Sequence, residues 1–261
     1  MIRVAVRVRG IVQGVGFRPF VHRAATARGL AGWIRNGTDC LGLEVEGPEA
    51  AVGEFLDTLR RDPPPAARVE RVEVATVPPT GDVGFRILRS VRSPATGSVL
   101  PADLALCAEC AAEIASPTAR RHRYPFTNCT RCGPRFTIVE SLPYDRARTT
   151  MRAFPPCPAC ADEYAAEHDL RFHAEPVACP TCGPVVRAVS PDGLERERGE
   201  AALALAVDAL VRGSVLALKG LGGFQLLVDA ENADAVARLR ERKRREEKPF
   251  ALMCPSLDAV R

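Results

Sequence analysis

Four CxxC pairs constrain this chain more than any other feature. Cys107/Cys110, Cys129/Cys132, Cys157/Cys160 and Cys179/Cys182 obey an internal repeat with an offset of 50 residues: CAECAAEI at 107 returns as CPACADEY at 157, and CTRCGP at 129 as CPTCGP at 179. Eighteen residues separate the two pairs of each repeat, so each repeat offers four thiolates, enough for one tetrahedral zinc. Residues 105–186 are therefore predicted to be a zinc-ribbon-like module with two structural zincs. Redox-active CxxC motifs usually stand singly beside a βαβ unit, which fits this array poorly. Pairing within a repeat closes shorter loops than interleaving, although the spacing permits both. With eight cysteines available, His122 and His173 are not needed as ligands and fit hydrogen-bonding or solvated roles. Cys40 and Cys254 stand alone and read as small hydrophobes. The segment shows little apolar periodicity, so metal is expected to supply its folding energy, and chelation to unfold it while leaving residues 1–90 folded.

Composition narrows the class. The 261 residues are 46% hydrophobic and 26% charged, which excludes wholesale disorder. No apolar run approaches the ~18 residues of a membrane span, and the start, MIRVAVRVRG, lacks a signal peptide's apolar block. Ten cysteines without an export signal point to a reducing, cytoplasmic setting. A net charge of +4 does not by itself argue for nucleic-acid binding.

Residues 1–92 form the first predicted domain. Ile2, Val4, Val6 and Val8 alternate with polar positions as a strand does, and a glycine-rich turn from Gly10 to Gly16 leads to a helix closed by Gly29. Strands follow at Trp33–Asn36 and at Leu41, Leu43 and Val45. A helix carries Val52, Phe55, Leu56 and Leu59 up to Pro63, a fourth strand runs over Val69–Val77, and a short further piece at Phe85–Leu88 completes the segment. The order βαββαβ suits a ferredoxin-like α+β sandwich. The turn Gln13-Gly14-Val15-Gly16-Phe17-Arg18 can aim backbone N–H groups at an anion, with Arg18 forking onto phosphate or carboxylate oxygens. From the glycines alone, a plain tight turn fits equally well.

After a loose stretch from Ser190 to Gly199, residues 200–261 read as the beginning of an α/β domain. The expected order is a helix ending at Gly213, a strand Val215–Leu218, a turn Gly220–Gly223, a strand Leu226–Val228, a charged helix from about Asn232 to Arg245, and a strand opening at Phe250–Met253. That is too little to close a core, which suggests a fragment of a longer reading frame. Lys219, Lys243, Arg244 and Lys248 are candidate nucleotide-phosphate ligands. A solvated helix face, partly neutralised by Glu241, Glu246 and Glu247, explains the same charges.

GIVQGVGFRPF followed by GWIRNGTD resembles the acylphosphatase signature, and KGLGGFQL with KRREEKPFAL resembles the opening of a YrdC-like nucleotide-binding domain. Together with PADLALCAEC, RHRYPFTNCTRCGPRFTI, LPYDRARTTM and FHAEPVACPTCGP, these segments are similar to the hydrogenase maturation carbamoyltransferases of the HypF family. Cys40 follows Asp39 where acylphosphatases often carry glycine. The resemblance implies that Arg18 binds phosphate and Asn36 positions the attacking water. It also implies carbamoyl phosphate and ATP as substrates, and as partner a maturation protein whose C-terminal cysteine is carbamoylated on the way to a cyanide ligand. For this chain it implies hydrolysis of carbamoyl or other acyl phosphates. Two other readings are a stand-alone acylphosphatase with a zinc interaction module and a nucleic-acid-binding zinc protein. The second rests on Arg120, Arg121, Arg123, Arg131 and Arg135 around the first metal site.

Overall fold

The computed structural model describes residues 1–92, 97 and 99–260, which divide into two compact units, Met1–Pro184 and Val185–Arg261. The acylphosphatase-like segment and the cysteine-rich segment thus belong to one unit.

In the first unit, β1 (Ile2–Ile11), α1 (Phe17–Thr26), β2 (Ala31–Asn36), β3 (Leu41–Gly47), α2 (Glu49–Arg61), β4 (Arg68–Val77) and β5 (Phe85–Ile87) follow the expected order. The strands form one sheet ordered β4-β1-β3-β2-β5, in which β1 pairs antiparallel with β3 and β4, and β5 joins β2 in parallel. Alternation decides which face is covered: Val4, Val6 and Val8 of β1 and Leu41, Leu43 and Val45 of β3 pack with Val21 and Ala25 of α1 and Phe55 and Leu59 of α2. At roughly 1.5–3 kcal/mol per fully buried large aliphatic or aromatic side chain, this core can hold residues 1–90 without help.

The cysteine-rich segment has little core of that kind. Its regular pieces are α3 (Ala108–Ala115), α4 (Pro158–Ala165) and two short 3-10 turns at Arg146–Arg148 and Thr150–Ala153. The repeat is visible in the backbone. Cys107 and Cys157 each cap the N-terminus of a helix, and the equivalent residues Arg123 and His173 take left-handed φ values of 55° and 54°. It is visible in the charges too. Arg121 pairs with Glu163 (2.5 Å) while its counterpart Arg171 pairs with Glu113; Arg121 Nε donates to the carbonyl of Ala178 (2.7 Å) and Arg171 Nε to that of Asn128 (3.1 Å). Each member of these couples stands 50 residues from its counterpart, so the repeats grip each other reciprocally.

The second unit contains β6 (Arg187–Val189), β7 (Glu195–Arg198), α5 (Gly199–Val211), β8 (Leu216–Gly220), β9 (Gly223–Leu227) and α6 (Ala233–Arg242). Two details differ from the sequence expectation. Residues 250–253 are not a strand; β8 and β9 pair with each other, and this stretch has no ladder partner among the described residues. The stretch 190–199, expected to be loose, instead lies largely in the β6–β7 hairpin, turned at Gly193 with φ 84°. No helix among the described residues is long and apolar enough to cross a membrane.

Candidate functional site

The glycine-rich turn leaves β1 and enters α1 through Gly14 (φ 70°) and Gly16 (φ 75°), a backbone bend that side-chain-bearing residues rarely adopt. The loop lines a pocket. Gly14, Gly16, Phe17 and Arg18 form one part of its wall, and Thr130, Arg135, Tyr144 and Glu175 of the cysteine-rich segment form another. The pocket is therefore not made by residues 1–92 alone.

Arg18 is 9% exposed and held by carboxylates from the cysteine-rich segment: Nη2 lies 2.6 Å from Glu175 and Nη1 3.3 Å from Asp145. Burial opposes its charge, but Glu175, Tyr164 and Asp145 outweigh that and raise its pKa. Glu175 is itself fixed, accepting from the Tyr164 hydroxyl (3.1 Å) and the Arg146 backbone N–H (2.9 Å). Asn36 is fully buried at the end of β2. Its Nδ2 donates to the carbonyl of Tyr144 (3.3 Å), while its Oδ1 has no hydrogen-bond partner among the described residues. Gln13 donates to the carbonyl of Gly37 (2.7 Å) and accepts the backbone N–H of Tyr144 (2.9 Å). The Gln13 side chain thus brackets the loop. His173 lines the same pocket, with Nδ1 at 3.2 Å from the Tyr164 hydroxyl. Burial, then the charges of Arg18 and His22, lower its pKa to about 4.

Arg135 ties the loop to the first cysteine cluster. Its Nε donates to the carbonyl of Gly14, and its remaining donors reach the carbonyls of Cys129 (3.0 Å), Thr130 (2.9 Å), Cys132 (3.1 Å) and Pro134 (2.8 Å). The sulfurs gather within each repeat, Cys107, Cys110, Cys129 and Cys132 in one tetrad and Cys157, Cys160, Cys179 and Cys182 in the other. Zn–S bonds of about 2.3 Å in a tetrahedron require sulfur separations of about 3.8 Å. Cys107–Cys129, Cys129–Cys132, Cys157–Cys179, Cys179–Cys182 and Cys160–Cys182 each stand 3.7 Å apart. The eight cysteines thus fit two structural zincs with every ligand position filled by protein. Arg120 and Arg121 approach Cys160 Sγ at 3.3 and 3.5 Å, where a guanidinium balances thiolate charge.

In the second unit, Lys219 lies on β8 with its ammonium 5.2 Å from the Phe224 ring centroid, and Lys243 and Arg244 follow α6. Lys248 lies beyond them and gives its carbonyl to Arg245 (3.1 Å). All four side chains are exposed, and no described contact joins them into one cluster.

Tyr144, Asp145 and Glu175 were not singled out by sequence reasoning, and Arg135 was named there only among the arginines of the nucleic-acid reading. Their signal was available only as chemistry out of place, charged and aromatic residues in a segment whose expected task was to hold metal.

Family models match residues 4–87 as acylphosphatase, 106–139 and 157–189 as HypF finger, and 208–261 under the description telomere recombination, the Sua5/YciO/YrdC family. The chain is 52% identical over 257 residues to a carbamoyltransferase HypF of Rhodobacter capsulatus, covering 98% of this chain and 34% of that protein. An acylphosphatase of Moorella thermoacetica is 49% identical over 92 residues, 35% of this chain and 98% of the enzyme. Among solved structures, full-length HypF in a phosphate- and nucleotide-bound form superposes with a TM-score of 0.89 at 40% identity, covering 99% of this chain and 34% of that one. The chain spans about a third of the length of the curated full-length relatives it matches.

Proposed function

We propose that this chain, which belongs to the HypF carbamoyltransferase family, carries that enzyme's site for hydrolysing carbamoyl phosphate. The observation that carries the reading is the buried Asn36, whose Oδ1 has no partner among the described residues and whose Nδ2 donates to the carbonyl of Tyr144, a residue lining the same pocket as Arg18. In this reading the loop N–H groups and the Arg18 fork hold the phosphoryl oxygens. Asn36 Oδ1 accepts one O–H of a water and aims its oxygen at phosphorus; an amide is a dipole and orients that water without deprotonating it. The water oxygen bonds to phosphorus, the bond from phosphorus to the acyl oxygen breaks, and its electron pair stays on carbamate. One water proton remains on phosphate and the other leaves to solvent. The zincs supply rigidity and take no part in these bond changes.

In the complete enzyme the carbamate would pass to an ATP-dependent step in the YrdC-like region. There Lys219, Lys243, Arg244 and Lys248 would meet nucleotide phosphates, before transfer to the C-terminal cysteine of a maturation partner in the cytoplasm. The nucleic-acid reading is disfavoured because its arginines are already engaged. Arg121 and Arg135 are buried among carboxylates and carbonyls, and Arg120 and Arg131 pair with Glu163 (2.5 Å) and Glu109 (2.7 Å).

The test is phosphate release from carbamoyl phosphate by the purified chain, with and without ATP. Release independent of ATP is expected. Its absence, beside salt-sensitive RNA binding, would overturn the reading.

A further inference from the structure

Tyr144 stands out among the pocket residues. Both of its backbone polar groups are used by the candidate site: its N–H is bound by the Gln13 side chain and its carbonyl by that of Asn36. The side chain is 1% exposed, and its hydroxyl has no hydrogen-bond partner among the described residues. A buried hydroxyl without a partner costs on the order of 1–3 kcal/mol. A protein bears that cost most readily where a ligand supplies the missing partner. The charges acting on this phenol are those of Arg135, Glu175, Arg18 and Asp103, which places it in the electrostatic environment of the candidate phosphate site. Burial pushes its pKa up to about 12, so near neutrality it is a hydrogen-bond donor rather than a phenolate.

The proposed hydrolysis leaves the bridging acyl oxygen without a donor. The phosphoryl oxygens meet Arg18 and the loop N–H groups. The acyl oxygen, on which negative charge grows as its bond to phosphorus breaks, meets none of these. We propose that the Tyr144 hydroxyl donates to the departing acyl oxygen of carbamoyl phosphate, making this residue of the cysteine-rich segment a catalytic residue of the acyl phosphate site. This rests on the acyl phosphate reading and deepens it. Tyr144 stabilises the leaving group, where Arg18 holds the phosphoryl group and Asn36 the water.

Tyr144→Phe removes the hydroxyl and keeps the ring and both backbone bonds. Zinc content and the thermal unfolding midpoint of the variant establish that it folds. For carbamoyl phosphate, kcat should fall about 10-fold or more, with KM and inhibition by product phosphate unchanged. The loss should shrink with benzoyl phosphate relative to acetyl phosphate, since benzoate is the less basic leaving group and needs the donor less. A variant within twofold of an active parent on all three substrates would overturn the role of Tyr144 and leave the hydrolase reading standing. Weakened phosphate inhibition with an equal loss on every substrate would move the hydroxyl to the phosphoryl group and overturn this assignment. A parent that releases no phosphate would overturn the hydrolase reading, and this contact with it.

Discussion

Arg18 has two anionic neighbours on the protein and is proposed to take a third from the substrate. Glu175 holds Nη2 and Asp145 holds Nη1 of the guanidinium, so its plane is oriented before any phosphate arrives. Arg18→Ala should lower phosphate release about 100- to 1000-fold and weaken inhibition by product phosphate. Arg18→Lys should recover little, because an ammonium cannot span two carboxylates and a phosphate in one plane. Activity within a few-fold of the parent in the alanine variant would reduce the loop to a turn. His173, in the same pocket, ties stability to pH. Its pKa falls from 6.5 to about 4 on folding. Between those values the unfolded chain binds a proton that the folded chain excludes, so stability is present above pH 6.5 and is lost as pH falls toward 4. Urea unfolding at pH 7 and pH 5 should show a larger loss for the parent than for His173→Asn, since asparagine tolerates the left-handed backbone at this position. Equal losses would show that His173 does not titrate in this window.

At the scale of elements, the two finger repeats are joined by buried charge as well as by small apolar clusters. Arg121 is fully buried and shared between Glu163 and Glu113, the latter from its own repeat. Arg121→Met strips both carboxylates of their fully buried partner, although Glu163 keeps Arg120 and Glu113 keeps Arg171, and should cost about 3–5 kcal/mol. An exposed pair such as Arg196–Asp192 should lose less than about 1 kcal/mol when Arg196 becomes Ala. Denaturant midpoints followed with zinc release would measure both; similar small losses would mean that the reciprocal grip contributes little. The pairing itself was hard to read from sequence. The offset of 50 residues showed that Arg121 and Arg171 are equivalent, and likewise Glu113 and Glu163. Nothing in a linear repeat says that equivalent residues exchange partners. The βαββαβ order was legible because alternation in β1 and β3 and the stripe of Val52, Phe55 and Leu59 in α2 are local patterns set by which face is buried. Phe250–Met253 carried the apolar character of a strand, but a strand also needs a neighbour, and that is a tertiary fact. Arg18 and Asn36 stood in recognisable text. Tyr144 and Glu175 stood in LPYDRARTTM and FHAEPVACPTCGP, segments that signalled the family but no role at the loop, since each reaches it from more than 100 residues along the chain.

For the first unit as a whole, the candidate phosphate site depends on the zinc module, while the sheet core does not. The sheet core of residues 1–90 contains no cysteine ligand and should survive metal removal. The loop should not keep its geometry. Gly14 is held by Arg135, whose other donors end on carbonyls of the first cysteine cluster and its adjoining residues, and Arg18 is held by Glu175 from the second repeat. Unfolding the module therefore withdraws both supports and the Tyr144 bonds to Gln13 and Asn36 while the sheet stays intact. Metal-replete protein should contain two zincs per chain. Chelation should abolish phosphate release from carbamoyl phosphate and inhibition by phosphate, while the fluorescence of Trp33, the single tryptophan and a residue of β2, keeps its folded signature. The Moorella acylphosphatase aligns over 92 residues, nearly its whole length, so an acylphosphatase domain of this kind can exist without the module. What the module adds here is a wall bearing a carboxylate and a phenol. A zinc-free chain that still released phosphate at the parent's rate would show that the wall is packing, and that the loop of residues 13–18 works unaided.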